Sequence, residues 1–318
     1  MGPKVVPNSL KDAMVYFSDE DVAIEFARDI RWPNGVECPS CGSKDVYYLA
    51  TRRIWKCKTK HSMQQFSVKV GSIFEDSPIG LDKWLPAAWL VTNCKNGISS
   101  YEISRDLHVT QKTAWFMLHR IRLAMRRCSF EKFDGEVEAD ETFIGGKIGN
   151  MHKKARRRAQ SKDGNHWGKT VVLGLLKRDG DVRAAVAPSR KKRPIHDNIM
   201  ENVAPGAMLY TDEHSAYDAL PNEIARRIVN HLEAYVDGRV HTNGMENFWS
   251  LLKRTLKGTY VSVDPFHLFR YLDEQCFRFN KRRLTDAERF VIVLGQTIGR
   301  RITYAELTGK ADTEATQS

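Results

Sequence analysis

Three acidic residues in the second half of the chain have the surroundings expected of metal-binding carboxylates: Asp140, Asp212 and Glu246. Asp140 lies in EVEADETFIGG and Asp212 in LYTDEHSAY, and each ends or interrupts an apolar, β-prone run. Glu246, in HTNGMENFWSLLKR, opens an amphipathic helical pattern. Because folding can bring two strands and a helix from distant segments together, we expect the three carboxylates to form one cluster that binds hard cations.

The chemistry expected of such a cluster is phosphoryl transfer. Carboxylate oxygens suit Mg²⁺ or Mn²⁺, which keep several waters and leave positions for substrate phosphates. Two ions about 3.5–4 Å apart can activate an attacking oxygen and stabilise the leaving oxygen of an in-line displacement. The sequence therefore predicts two divalent ions per site, Mg²⁺ or Mn²⁺, with a carboxylate bridging them.

Composition and charge favour a globular protein with a polyanionic partner. The 318 residues are 42% hydrophobic and 28% charged, enough for one large core or a few smaller ones. The formal net charge of +11 indicates nucleic acid, although basic proteins without nucleic acid also exist. No apolar run approaches the roughly 20 residues that span a bilayer, and the N-terminal MGPKVVPNSLKDAM lacks the apolar core of a signal peptide. We expect a cytoplasmic location and no membrane partner.

A second constellation lies nearer the N-terminus, where Cys38, Cys41, Cys57 and His61 have the spacing C-x2-C-x15-C-x3-H. Two short knuckles of this kind predict one tetrahedral structural Zn²⁺, whose four ligands leave no position for water. The alternative is a group of free cysteines. The cations around the knuckles fit either nucleic-acid binding or a solvated face. Three further cysteines lie singly in helical patterns and give no disulfide framework: Cys94, Cys128 and Cys276.

Helical patterns fill the stretch from Leu81 to Arg127. Gly97, the HVT turn and Thr110 as a candidate N-cap separate two helices that follow a longer one. This is the outline of a helix-turn-helix whose second helix would read bases, and the alternative is a plain helical bundle. The DNA-binding residues predicted on this helix are Gln111, Lys112, Thr113 and Arg120.

The central region alternates in the manner of an α/β domain. Strands are predicted over Val137–Ile144, Thr170–Leu176, Val182–Ala187 and Ala207–Thr211, with a candidate fifth over Arg226–Asn230 and a helix over Ile195–Val203. Consecutive strands followed by alternation of helix and strand give a mixed five-stranded sheet covered by helices. A basic loop, 147–169, leaves the strand that carries Asp140. Such loops are usually only solvated, but Arg156, Arg157 and Arg158 in this one are predicted to meet a phosphate backbone.

Motifs with a family likeness run through nearly the whole chain: FSDEDVAIEFARDIRWPNGVECPSCGS, GSIFEDSPIGLDKWLPAAWL, GISSYEISRDL, TAWFMLHRIR, EADETFIGGK, YTDEHSAY and HTNGMENFWSLLKR. Together they resemble the DDE transposases of bacterial insertion sequences, in the group with an N-terminal zinc ribbon. The resemblance implies a ribonuclease-H-like catalytic domain with Asp140 on the first strand, Asp212 after the fourth and Glu246 on the following helix. It also implies binding to terminal inverted repeats, followed by metal-dependent strand cleavage and strand transfer. The partner would be double-stranded DNA, at element ends and target, with the protein acting as a homo-oligomer on the nucleoid and taking no small-molecule substrate.

The third acidic position has two candidates, because Asn replaces the acid in parts of this family and Asn247 directly follows Glu246. Glu246 is preferred because Lys253 lies seven residues later, which matches the family's spacing from the acid to a basic residue. The resemblance implies that Lys253 joins the catalytic set by holding DNA beside the metal. Glu246 could alternatively be the capping-box partner of Asn243 or Thr242 at the start of its helix.

These segments predict a multidomain chain: an N-terminal helix in 1–35, a small zinc ribbon in 36–76, an all-α helix-turn-helix module in 77–130, the α/β ribonuclease-H-like domain in 131–285, and a C-terminal helix and tail in 286–318. Two rival functions stay open. A regulator with a zinc ribbon and a helix-turn-helix would bind DNA without needing the carboxylates, whereas a ribonuclease-H-like nuclease would use them without specific DNA-end binding. Short inverted repeats bordered by direct duplications in the flanking genomic DNA would favour the transposase.

Overall fold

The computed structural model describes residues 3, 5–126, 131–145, 153, 169–218, 220–221, 223–228 and 242–309. The chain divides into two units, the first made of Met1–Arg126 with Lys281–Ser318 and the second of Arg127–Asn280. The helices are, in chain order, α1 Leu10–Tyr16, α2 Glu20–Arg31, α3 Leu81–Asn93, α4 Ser100–Asp106, α5 Gln111–Met125, α6 Lys192–Asn202, α7 Asn243–Thr255, α8 Leu268–Asn280, α9 Asp286–Gly295 and α10 Tyr304–Leu307. The strands are β1 Val46–Leu49, β2 Ile54–Cys57, β3 Gln65–Phe66, β4 Glu136–Ile144, β5 Thr170–Lys177, β6 Val182–Ala187, β7 Met208–Thr211 and β8 Ala225–Ile228. Within the described ranges, no helix is both long and apolar enough to cross a bilayer.

A small antiparallel sheet of β1, β2 and β3 carries the cysteine knuckles of the first unit. Trp55 of β2 stacks on Phe66 of β3 with ring centroids 6.3 Å apart, and Trp32 meets both rings edge-on. Aromatic pairs of this kind stabilise a sheet too small to have a core of its own. The last residue of β2 is Cys57, so the sheet fixes the position of one predicted zinc ligand.

Capping signals set the starts of the helices in the predicted helix-turn-helix. α4 begins with a capping box between Ser99 and Glu102. α5 begins after Thr110, whose hydroxyl accepts a hydrogen bond from the Thr113 N–H at 3.1 Å. In the turn between the helices His108 has a φ of +50°, in the left-handed region. The two helices and their turn therefore match the outline expected from the sequence.

The helix α9, near the C-terminus, completes the core of the first unit. Phe290 on α9 is fully buried, and its ring centroid lies 5.7 Å from that of Phe17, 6.0 Å from that of Phe26 and 5.0 Å from that of Trp89. These partners come from the chain around α1, α2 and α3. The sequence suggested a separate C-terminal segment, because periodicity does not show which distant helix an apolar face will pack against.

The second unit is built on a sheet of five described strands in the order β6-β5-β4-β7-β8. β4, β5 and β6 are antiparallel, whereas β7 is parallel to both β4 and β8. The first four predicted strands are present, and the fifth is present as Ala225–Ile228, its predicted last two residues lying outside the described ones. The helix predicted over Ile195–Val203 begins three residues earlier, as α6. This mixed order agrees with the ribonuclease-H-like fold that the resemblance implied.

Alternation along β4 sends its side chains to two different layers. Val137 and Ala139 are fully buried in an apolar cluster with residues of α6. Glu138 and Asp140 point the other way and accept hydrogen bonds from α7. The layer on the α7 side is otherwise apolar: Val172, Leu176, Met245, Phe248, Leu252 and Leu272.

Two glycines allow α7 to lie directly on the sheet. A Cβ atom on Gly174 of β5 would lie 2.2 Å from Met245 Cε, and one on Gly244 of α7 would lie 2.3 Å from Leu176 Cδ2. Contacts this short do not occur, so a side chain at either position would displace the neighbouring side chains or the helix. The close approach is what brings Trp249 of α7 to Asp140.

Candidate metal centres

Two of the three predicted carboxylates meet at one edge of the large sheet. Asp140 lies on β4 and Asp212 directly follows β7, and these strands are parallel neighbours with Glu138 opposite Tyr210. Their carboxyl ends therefore reach the same edge. Oxygen atoms of Asp140, Asp212 and the adjacent Glu141 all lie within 4.8 Å of one another. Sequence reasoning missed Glu141, although a second acid beside Asp140 was visible in ADET.

The pKa of Asp140 is displaced from its ordinary value. Its Oδ1 accepts a hydrogen bond from the Glu141 N–H at 2.7 Å, and its Oδ2 accepts one from the Trp249 indole N–H at 3.0 Å. Burial, reinforced by the charges of Glu141 and Asp212, raises the pKa of Asp140 to about 6. The hydrogen bonds from Glu141 and Trp249 lower the pKa of Asp140 but do not restore its ordinary value. Without a cation, the partly buried carboxylate is therefore poorly compensated.

Glu141 lies on the opposite side of the strand and accepts hydrogen bonds from two side chains. Its side chain is 1% exposed. Its Oε1 accepts a hydrogen bond from Arg190 Nε at 3.2 Å, and its Oε2 accepts one from the Tyr217 hydroxyl at 2.9 Å. His214 Nδ1 lies 3.9 Å from Oε1. Burial, with the charge of Glu141, raises the pKa of Tyr217 well above its ordinary value, so the hydroxyl stays a donor. This network fixes the orientation of Glu141.

Asp212 is the member of this carboxylate group that is accessible to solvent. Its side chain is 32% exposed, and its Oδ1 accepts a hydrogen bond from the His214 N–H at 3.1 Å. Its other oxygen, Oδ2, lies 3.9 Å from Arg190 Nη2. The donor set of buried and exposed carboxylate oxygens fits Mg²⁺ or Mn²⁺, because such ions use one or two protein carboxylates and complete their shell with water or phosphate.

Glu246 lies outside this group. It is exposed in the first turn of α7, and among the described residues the oxygens that approach one another are those of Asp140, Glu141 and Asp212. Glu246 is one turn before Trp249, the residue that contacts Asp140, so the helix carries it along the same edge. The alternative role as a capping-box partner is wrong, because the N-cap residue Thr242 makes no side-chain capping hydrogen bond. Asn247 is exposed as well, and Lys253 is half-buried on the same helix; the catalytic roles of all three stay predictions.

A further buried acid, Glu138, anchors α7 and was missed by sequence reasoning. It is 1% exposed. Its Oε2 accepts a hydrogen bond from the Met245 N–H at 3.0 Å, and its Oε1 accepts one from Arg178 Nε at 3.2 Å. Because Met245 lies in the first turn of α7, the carboxylate meets the positive end of the helix dipole. The available signal was its spacing of two residues from Asp140, which places both on one face of the strand.

The four predicted zinc ligands come together in the first unit. Ligand atoms of Cys38, Cys41, Cys57 and His61 lie within 4.8 Å of one another, with Cys41 Sγ 3.7 Å from Cys57 Sγ and Cys38 Sγ 3.4 Å from His61 Nε2. A tetrahedral ion with Zn–S bonds of about 2.3 Å would separate two sulfur atoms by about 3.8 Å. The four residues therefore fit one Zn²⁺ in a closed, structural site.

The predicted DNA-binding residues of α5 have different surroundings. Lys112 is exposed, whereas Gln111 is half-buried and donates to Ser100 Oγ at 2.8 Å. Thr113 is half-buried beside Thr110, with their hydroxyls 2.8 Å apart. Base contacts by these residues stay predictions. Arg156, Arg157 and Arg158 lie outside the described residues.

The assignment of Arg120 to the DNA surface is wrong. Its side chain is 4% exposed, and its guanidinium donates to the backbone carbonyls of Ile73 at 2.8 Å, Glu75 at 2.7 Å and Ile302 at 3.3 Å. It therefore holds two chain segments against α5. The helical pattern did not distinguish this role, because a long cationic side chain can lie over the interior as easily as over solvent.

Comparison with known proteins agrees with the fold and with a zinc ribbon in the first unit. Residues 132–280 match the ISXO2-like transposase domain, and residues 18–59 match the transposase zinc-ribbon domain, which ends two residues before His61. The chain is 30% identical over 254 residues to an uncharacterized protein in transposable element ISH50 of Halobacterium salinarum. The aligned residues cover 76% of this chain and 84% of that relative. It is also 30% identical over 104 residues to an uncharacterized transposase-like protein of Haemophilus influenzae, covering 32% of this chain and 84% of the relative. The chain thus belongs to the family of insertion-sequence transposases that carry an N-terminal zinc ribbon and an ISXO2-like transposase domain.

Proposed function

We propose that this chain cleaves the ends of its insertion sequence and joins them to target DNA, using Mg²⁺ or Mn²⁺ held by Asp140, Asp212 and Glu246. The observation that carries the proposal is the approach of Asp140 and Asp212 to within 4.8 Å, just beyond the point where the parallel pairing of β4 with β7 ends. Both residues lie in the segment that matches the ISXO2-like transposase domain.

When bound, two divalent ions would activate the attacking oxygen and stabilise the leaving oxygen. The chain's own residues would orient the reactants. Asp140 is fixed by Trp249 and by the Glu141 N–H, while Asp212 is open to solvent and to an incoming phosphate. Glu246, on the exposed side of α7, would complete the carboxylate set. Lys253, about two turns further along α7, would hold the phosphate next to the scissile bond.

The first unit would supply recognition of the element ends. Gln111, Lys112 and Thr113 lie at the start of α5, where side chains of a recognition helix reach base edges. The zinc ribbon would support the same DNA through its surface cations. Pairing two element ends in one reaction would require at least two copies of the chain, which supports a homo-oligomer on DNA.

The test is a single-turnover cleavage assay on a labelled element end with Mg²⁺. Asp140→Asn, Asp212→Asn and Glu246→Gln should each abolish cleavage and strand transfer, by about 10³-fold or more, while DNA-end binding stays nearly intact. Asn247→Ala is the matched control for Glu246→Gln and should retain activity. Near-wild-type cleavage by Asp212→Asn would overturn the proposal. Binding without any cleavage would favour the regulator, and cleavage without preference for the element end would favour the nuclease.

A further inference from the structure

A run of four cations connects β6 to α6 in the second unit: Arg190, Lys191, Lys192 and Arg193. We call it the basic turn. Its first residue touches the acidic group, and the other three are exposed at the start of α6. The proposed catalytic set does not use it.

Arg190 is placed where a phosphate would meet the carboxylates. Its Nε donates to Glu141 at 3.2 Å, which fixes the plane of the guanidinium. Its Nη2 lies 3.9 Å from Asp212 Oδ2, beyond hydrogen-bonding distance. Within the described part of the chain, its two terminal nitrogens therefore keep their hydrogen-bonding capacity. The side chain is 30% exposed, so these donors are accessible.

The outer part of the basic turn carries charge that the described protein does not neutralise. Lys191 and Lys192 are exposed, and no carboxylate of the described residues lies within 4.0 Å of either ammonium. Arg193 is 93% exposed and approaches only Asp197, at 3.9 Å, among those residues. Arg53 of the zinc ribbon is a contrasting case, since it pairs with Glu20 and Asp21. Uncompensated cations beside an acidic group match the charge pattern of a polyanion that enters the site.

We propose that the basic turn holds the phosphate backbone of the DNA strand that enters the acidic site. Arg190 faces the phosphate nearest Asp212, and Lys191, Lys192 and Arg193 neutralise the neighbouring phosphates. The planar guanidinium of Arg190 suits a phosphate because it offers two parallel donors, whereas the exposed lysines act as mobile point charges. The contact reads no base, so it contributes affinity without sequence preference. This inference rests on the proposed function for the identity of the strand.

The first test measures binding of a random-sequence duplex without Mg²⁺ at several salt concentrations. Replacing Lys191, Lys192 and Arg193 together by Gln should weaken binding at least tenfold at about 0.1 M salt and reduce the slope of log K against log salt by about two to three. As matched single changes, Lys192→Gln should lower the slope and Lys132→Gln, an exposed cation before β4, should not. An unchanged slope in the triple variant would overturn the inference, even if wild-type cleavage and its loss in Asp140→Asn upheld the proposed function.

The second test separates Arg190 from a purely structural residue. Arg190→Gln removes a positive charge beside Asp212, so calorimetry without DNA should find Mg²⁺ binding about threefold to tenfold tighter, while single-turnover cleavage falls about 100-fold. Arg190→Lys should return Mg²⁺ affinity to the wild-type value and restore part of the cleavage. Weaker Mg²⁺ binding together with an unfolded second unit would indicate only a structural role, and unchanged cleavage would remove Arg190 from the DNA path.

Discussion

Asp140 has a pH-dependent energetic cost in the metal-free protein. Its pKa is about 6 in the folded chain, against an ordinary value of 3.8. The folded state therefore binds a proton more tightly than the unfolded chain between these values, and the free energy of unfolding falls as pH rises from about 4 to about 6. Above that range both states are ionised and the full cost, at most about 3 kcal/mol, persists.

Asp140→Asn should remove this cost. The amide is neutral at every pH but keeps one acceptor where the carboxylate has two, so we expect a gain of about 1–2 kcal/mol at pH 7.5 that vanishes towards pH 4. Urea unfolding of zinc-loaded protein without Mg²⁺ measures it. Adding Mg²⁺ should then stabilise the wild type and not the variant. A difference between the two proteins that does not change with pH would contradict the assigned environment of Asp140.

Cys57 should be required for metal content. Cys57→Ser removes one of four ligands of a closed site, so zinc should fall from about one ion per chain to near zero and the first unit should lose stability. Cys94→Ser, a change at a cysteine outside the cluster, is the control and should retain its zinc. Metal analysis of the two purified variants measures the zinc content of each. Equal zinc contents in Cys57→Ser and Cys94→Ser would refute the site.

The chemistry-bearing residues were predictable where type and spacing carry the information. The cysteines have knuckle spacing, Asp140 lies on a recognisable strand, and Asp212 follows another. Glu141 and Arg190 were not predicted, because their roles depend on which strand and turn lie beside them in the folded sheet. Arg120 was assigned to the wrong surface for a related reason: its carbonyl partners lie far away in the chain, on Ile73, Glu75 and Ile302.

α7 is the element that links the sheet to the third acidic position, and its closeness to β4 and β5 is testable. A Cβ atom on Gly244 would lie 2.3 Å from Leu176 Cδ2 and 2.8 Å from Glu138 Oε2. Gly244→Ala should therefore push the start of α7 outward and lower the free energy of unfolding by about 1–3 kcal/mol, despite the better helix propensity of Ala.

The control for this change is Gly258→Ala, because a Cβ atom there would meet nothing within 4 Å. That variant should be neutral or slightly stabilising. Denaturant unfolding gives the stability, and hydrogen exchange of the Trp249 indole reports whether its bond to Asp140 has loosened. An equal effect of the two substitutions would show that α7 does not depend on the close approach.

Secondary structure in the second unit was largely predictable, since β-prone runs bounded by turns correspond to β4 to β8. The closeness of α7 to the sheet was not predictable. It depends on Gly174 of β5 lying against Met245 of α7, and on Gly244 of α7 lying against Leu176 of β5. The membership of α9 in the first unit was also beyond the sequence pattern. A helical stripe shows that a face is buried and leaves its partner undefined.

In the whole molecule, α9 should stabilise the first unit and not the second. Phe290 is fully buried against rings from the N-terminal part of the chain, so Phe290→Ala should cost about 3–5 kcal/mol in the first unit. Hydrogen exchange should show lost protection in α2, α3 and α9 and unchanged protection in β4 to β6. Phe266→Ala, at a ring that is 53% exposed, is the control. Loss of protection in β4 to β6 instead would contradict the division into units.

The second unit is encoded by one continuous stretch, whereas the first is assembled from segments on either side of it. During synthesis the ribosome therefore releases all of the second unit before it releases α9. Domains generally fold as units as they emerge, so the sheet with the acidic edge can form while the zinc ribbon and helix-turn-helix still lack a core helix. A chain interrupted before α9 would have its carboxylate edge assembled and the core of its first unit incomplete. The recognition proposed for the first unit would therefore wait until α9 has been made.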